Sequence, residues 1–139
     1  MAKAEAVFSK EEKAAMRAAV AERRKKFSPA EHAAEVQDKI KAMAPSDRKL
    51  AEKVHKLVMA LAPELQPKLW YGMQAYSLDG KNLMFFQDAQ KFKSRYCTLG
   101  FTDIAKLDKG GMWGTSFAVT EWSDEVEKQI TALVKKAIK

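Results

Sequence analysis

Three side chains in this chain are soft metal ligands: His32, His55 and Cys97. None has a His or Cys partner at ligand spacing, so no zinc site is written here. Both histidines read as ordinary surface or boundary residues. Glu121, Asp124, Glu125 and Glu127 have the oxygens to hold a hard cation weakly. Their spacing fits a helix N-terminus better, where carboxylates complement the macrodipole. Cys97 falls in an expected strand with Lys93 and Arg95 on its own face. Neighbouring cations lower a thiol pKa and raise its reactivity, but a buried structural thiol is the commoner state. Gly110, Gly111 and Gly114 match neither the dinucleotide nor the P-loop spacing. No Ser, His and Asp arrangement follows from spacing. The expectation is a protein that is not an enzyme, with no metal and no cofactor.

Charge and aromatic rings give the more pointed chemistry. Arg23-Arg24-Lys25-Lys26 is a basic cluster at an expected helix end, where it suits the dipole and where Glu22 pairs with Lys26. It also has the charge to meet nucleic acid. Further on, Lys91, Lys93 and Arg95 interleave with Phe92 and Tyr96, a pattern that stacks bases when exposed. Most such rings are core, since each buried one stabilises by roughly 1.5–3 kcal/mol. An excess of Trp and Tyr over the needs of a small sheet nevertheless sits near these cations. Trp70, Tyr76, Lys91, Arg95, Tyr96 and Trp113 are therefore expected to form an aromatic and basic ligand site. Its rings would wall the site and its cations would select an anionic group.

The elements that must position those residues divide the chain in two. Eleven of thirteen aromatic residues and all six glycines lie between Trp70 and Trp122. The front is rich in Ala, Lys, Arg and Glu, strong helix formers. Ser9-Lys10-Glu11-Glu12 reads as a capping box, followed by a thin stripe of Met16, Val20 and Phe27 with alanines between. Ser28-Pro29-Ala30-Glu31 starts a second helix with Ala33, Val36, Ile40 and Met43 on one face. Ser46-Asp47 opens a third, whose stripe of Leu50, Val54, Leu57, Val58 and Leu61 is the strongest in the chain. Pro63 and Pro67 stop it.

The back reads as strands. WYGMQAYSL leads through Asp79-Gly80 to KNLMFFQ, a hairpin signal, because both central turn residues need positive φ. KFKSRYCTLGF is a third strand, Thr102-Asp103 caps a short helical turn, and residues 115–120 form a fourth strand. Ser123 caps a last helix, with Val126, Ile130, Leu133, Val134 and Ile138 facing the sheet. The expected fold is α+β: a mostly antiparallel sheet of about four strands with helices on one face. Residues 1–45 form a helical N-terminal extension and residues 46–139 the α+β domain.

Bulk properties fit this reading. A chain of 139 residues is one domain with or without an appendage, and needs no disulfide or metal to fold. A lone cysteine fits a reducing compartment. The N-terminus lacks the apolar run of a signal peptide, and the apolar runs are too short to span a bilayer. A cytoplasmic protein with no membrane partner is expected. The net charge is +7, most of it in the front, which favours solubility and weakly favours anionic partners.

WYGMQAYSLDGK, FFQDAQKFKSRY-TLGF and MWGTSFAVTE resemble the YdhG-like (DUF1801) domain family of small bacterial proteins. The resemblance covers about Ser46 to Ile138. Its most specific part is Tyr71-Gly72-Met73 and Ala75-Tyr76 followed by Gly80-Lys81. Residues 1–45 resemble the helical extension of some members. The chain departs from the family pattern at Gln74 and Gly114, where proline is common, and each change loosens the backbone. The resemblance implies an α+β fold. It also implies the alternative of a frataxin-like iron chaperone, a role that an acid-rich surface would serve and that the basic front does not suit. A weak nucleic-acid-associated protein is the second alternative.

Overall fold

The computed structural model describes residues 9–24 and 27–139. The side chains of residues 22–26, and with them the Arg23–Lys26 cluster, lie outside that description. Helix α1 spans Lys10–Arg24, α2 Pro29–Lys41 and α3 Pro45–Leu61. Strands β1 (Gln66–Trp70), β2 (Met73–Leu78), β3 (Lys81–Gln87), β4 (Cys97–Phe101) and β5 (Ser116–Val119) follow, and α4 (Asp124–Ala137) ends the chain. The fold is α+β, as expected. The sheet has five strands rather than four, all antiparallel, in the order β1-β2-β3-β4-β5.

The extra strand comes from a turn inside WYGMQAYSL. Tyr71 and Gly72 both have positive φ, 51° and 73°. That pair of left-handed residues reverses the chain in two positions and lets Trp70 pair with Met73. The Asp79-Gly80 turn joins β2 to β3 as its composition demands, with φ of 51° and 83°.

Alternation along the strands separates two faces. Tyr76, Met84, Phe86, Leu99, Phe101 and Val119 point towards the helices and are buried. Val36 and Ile40 of α2, Val54 and Val58 of α3, and Ile130 and Val134 of α4 close over them in one cluster. Met43 joins the same cluster, so residues 29–45 share a core with the strands. On the opposite face a row runs Lys68, Ala75, Phe85, Gly100, Ser116 across all five strands. Trp70 meets Phe85 edge-on at 5.5 Å. A Cβ at position 100 would meet the Phe85 ring, so the ring packs over Gly100 only because that position has no side chain.

Caps locate most helix starts. Glu12 N–H donates to Ser9 Oγ at 3.0 Å, and Ser28 and Glu31 form a reciprocal capping box. Ser123 Oγ accepts from Val126 N–H at 3.2 Å. Two expectations change. Among the described side chains of α1, Ala15 and Ala19 are buried, while Met16 and Val20 stay exposed. The small side faces the protein because α1 lies close to the β1–β2 turn, where Ala18 approaches Gly72. Thr102 opens a single turn, with Ala105 N–H donating to its carbonyl at 3.1 Å, that does not continue through Leu107; its hydroxyl donates to Asn82 O at 2.5 Å, tying the end of β4 to β3.

Candidate functional site

Helix α3 begins without a side-chain cap. Its N-cap is Ala44, Pro45 occupies the first turn, and no side chain bonds the free N–H groups. Asp47, expected to open this helix, turns away to a tertiary role. It is buried, and its Oδ2 accepts the Gln90 N–H at 2.8 Å while Oδ1 accepts the Cys97 S–H at 3.4 Å. One carboxylate thus ties the start of α3 to the turn after β3 and to the first residue of β4.

Beside this junction lies a cavity of about 560 Å³. Ser46, Asp47, Lys49 and Leu50 of α3 form one wall, and Ala89, Gln90, Ser94, Arg95, Tyr96 and Cys97 a second. Val119, Thr120, Glu121 and Trp122 close the third side. Arg95 places its guanidinium carbon 5.1 Å from the centre of the Tyr96 ring, a cation–π geometry that holds the cation at the rim. Tyr96 and Trp122 are half-buried.

Burial pushes the Cys97 thiol up to about 12, and the adjacent Asp47 and Asp88 carboxylates push the same way. The thiolate is suppressed, and the sulfur serves as a donor. The expected alternation of cations along this strand does not form. Residues 88–96 are a turn, not the start of a strand, fixed by Ser94 N–H to Ala89 O at 2.9 Å and by the Asp47 bond to Gln90. Lys93 takes a positive φ of 52° and pairs with Glu11 of α1 at 2.8 Å.

The six residues expected to converge therefore separate. Arg95 and Tyr96 line the cavity. Lys91 lines a neighbouring depression of about 530 Å³ with Lys39, Asp88 and Gln90. There Lys39 Nζ meets Asp88 Oδ2 at 3.3 Å, and burial, more than Lys91 nearby, lowers the Lys39 pKa. Tyr76 is fully buried on the core face. Its hydroxyl accepts from Gln74 Nε2 at 2.8 Å, which leaves its proton for His55 Nδ1 at 2.8 Å. Burial lowers the His55 pKa and raises that of Tyr76. Gln74 Nε2 also reaches Ala51 O at 3.1 Å, so this network joins β2 to α3. Trp70 lies on the opposite face of the sheet against Phe85. Trp113 lies in the loop before β5, 39% exposed, and lines neither hollow.

Asp47, Lys49 and Trp122 are cavity residues that spacing did not single out. Asp47 has the signature of a helix cap, and only the fold turns it to Gln90 and Cys97. Trp122, two residues before α4, carries no local signal beyond being aromatic. Among the described residues no group of three or more His, Cys, Asp or Glu side chains comes together. Also among them, no helix is long and apolar enough to cross a membrane. No protein family, curated protein or solved structure matches the chain.

Proposed function

We propose that this chain is a non-catalytic binding module that takes a small anionic ligand in the cavity at the start of α3. The observation that carries the reading is the meeting of Arg95, Lys49 and an uncapped helix N-terminus on one hollow with aromatic walls. Free N–H groups and the helix dipole favour negative charge at that end. The formal charges of Lys49 and Arg95 are matched by Asp47 and Glu121, so position does the selecting. Both Asp47 oxygens are turned to Gln90 and Cys97, so the exposed charges on the hollow are those of Lys49, Arg95 and Glu121, two positive against one negative. Tyr96 and Trp122 give the ligand an apolar body contact, as in most small-molecule sites. A thiol held neutral supports binding rather than covalent chemistry at Cys97.

Tryptophan fluorescence provides the test, because Trp122 lines the hollow. Inorganic phosphate, pyrophosphate and small di- and tricarboxylates are titrated in turn. At least one should shift the emission and saturate. Arg95→Ala should weaken that binding about tenfold or more, since hydrogen bonds to a charged group contribute about 1.5–3 kcal/mol. Absence of saturable binding by every anion, or an unchanged affinity in Arg95→Ala, overturns the proposal.

A further inference from the structure

The depression beside the cavity holds a charged group of unusual make-up. Lys39 of α2 keeps only 13% of its side chain exposed, and its Nζ meets Asp88 Oδ2 at 3.3 Å. Asp88 is buried, and its Oδ1 has no hydrogen-bond partner among the described residues. A carboxylate buried for structure alone has its oxygens paired; this one keeps an acceptor in reserve. Lys91 is a second cation at Lys39 and acts on it both by charge and by direct side-chain contact. Lys91 Nζ lies against the bare backbone of Gly72, where a Cβ would stand 2.8 Å from it. The centre of the Phe92 ring is 5.7 Å from the same nitrogen. These groups open on about 530 Å³ of space walled by Ala42, Met43 and Ala44. Burial first, and then the like charge of Lys91, favour the uncharged amine of Lys39 against the opposing pull of Asp88.

We propose that Lys39 reversibly captures a small 2-oxo acid in this depression as an imine. A partly desolvated amine beside a second cation is the arrangement that makes lysine a nucleophile. Asp88, in contact with Lys39 Nζ, takes one proton from the ammonium. The freed lone pair attacks the carbonyl carbon and forms the C–N bond. The carbonyl oxygen leaves as water, carrying the proton held by Asp88 and a second one from the nitrogen. A C=N bond replaces the C=O bond: ammonium and ketone become iminium and water, with no change of charge and nothing oxidised or reduced. The iminium then pairs with Asp88 as the ammonium did. Lys91 receives the carboxylate next to the carbonyl, which selects a 2-oxo acid over a neutral ketone. The bond is a means of holding the ligand, and the site is separate from the hollow at Arg95.

Reductive trapping on the full chain tests the capture, with a readout independent of Trp122 fluorescence. The protein is incubated with pyruvate and cyanoborohydride near neutral pH, and modified lysines are identified by peptide mass mapping. Lys39 should acquire the reduced adduct about tenfold or more faster than Lys49, an exposed lysine. With Lys49 as the internal reference, that ratio should fall for methyl pyruvate, which has the same carbonyl and no charge. It should also fall for pyruvate in Lys91→Gln. Lys39→Arg, which keeps a cation beside Asp88, should leave no preferred site. Circular dichroism confirms that each variant is folded. Labelling of Lys39 no faster than Lys49 overturns the inference. So does a ratio that neither the ester nor Lys91→Gln lowers.

Discussion

Two polar clusters flank α3, and they differ in what they leave open. The Gln74–Tyr76–His55 network is built into the core face, with Gln74 and Tyr76 fully buried. The Asp47–Gln90–Cys97 junction is as tightly bonded, yet it forms the wall of a hollow that reaches Arg95 and Lys49 at the surface. In the first, polar atoms face one another and join strand to helix. In the second, buried atoms brace a turn from which Arg95 and Tyr96 reach the hollow. Aromatic and polar residues in one stretch of sequence therefore divide into a structural half and an accessible half.

Substitutions and pH separate the halves, beginning with the largest effect on stability. Tyr76→Ala should cost about 3–5 kcal/mol, the range for deleting a buried ring, read from chemical denaturation. A loss below about 1 kcal/mol would mean that the sealed network is no anchor. Asp47→Ala leaves the Gln90 N–H and the Cys97 thiol without their acceptor and should cost about 1–3 kcal/mol. It should also raise the rate at which Cys97 reacts with thiol reagents at alkaline pH, but only modestly, because burial, the larger cause of the raised thiol pKa, remains when the carboxylate is removed. Equal labelling rates in the two folded proteins would remove Asp47 from this role.

A smaller effect follows from His55. Its folded pKa lies below its ordinary value because of burial, so the unfolded chain protonates first as pH falls. Stability is complete above the unfolded pKa of about 6.5 and declines as pH drops towards the lower folded value. Thermal unfolding of the wild type should show that decline, and His55→Gln should flatten it. Parallel pH profiles would contradict the assignment. The smallest effect on stability belongs to Arg95→Ala, within about 0.5 kcal/mol, although it removes the cation on which anion binding depends. A large destabilisation by Arg95→Ala would move Arg95 from the accessible half to the structural one.

Local chemistry made much of the fold legible. Ser28 with Glu31, and Ser123 ahead of Asp124 and Glu125, announce helices because caps and dipoles act within one turn. Asp79-Gly80 announces a hairpin for an equally local reason. The turn at Tyr71-Gly72 was less visible, since a tyrosine at positive φ breaks the usual preference for Gly, Asn or Asp there. The candidate site was legible only at Arg95 and Tyr96. Asp47 was hidden because a helix cap and a buried tertiary acceptor use the same residue type in the same place. Tyr76 was misplaced because an aromatic residue with a hydroxyl serves a core network as well as it serves a pocket.

The sequence by itself determined the class of fold, the capped helix starts at Ser9, Ser28 and Ser123, and the Asp79-Gly80 hairpin, all features whose causes lie within a few residues. Tertiary structure decided which side of each strand met the helices, and that choice sent Tyr76 inward and Trp70 to the other face. It also decided that residues 88–96 would turn rather than extend, because a carboxylate from α3 claims the Gln90 N–H. Side-chain periodicity fixes what shares a face, but only the packing of distant elements fixes what that face encloses.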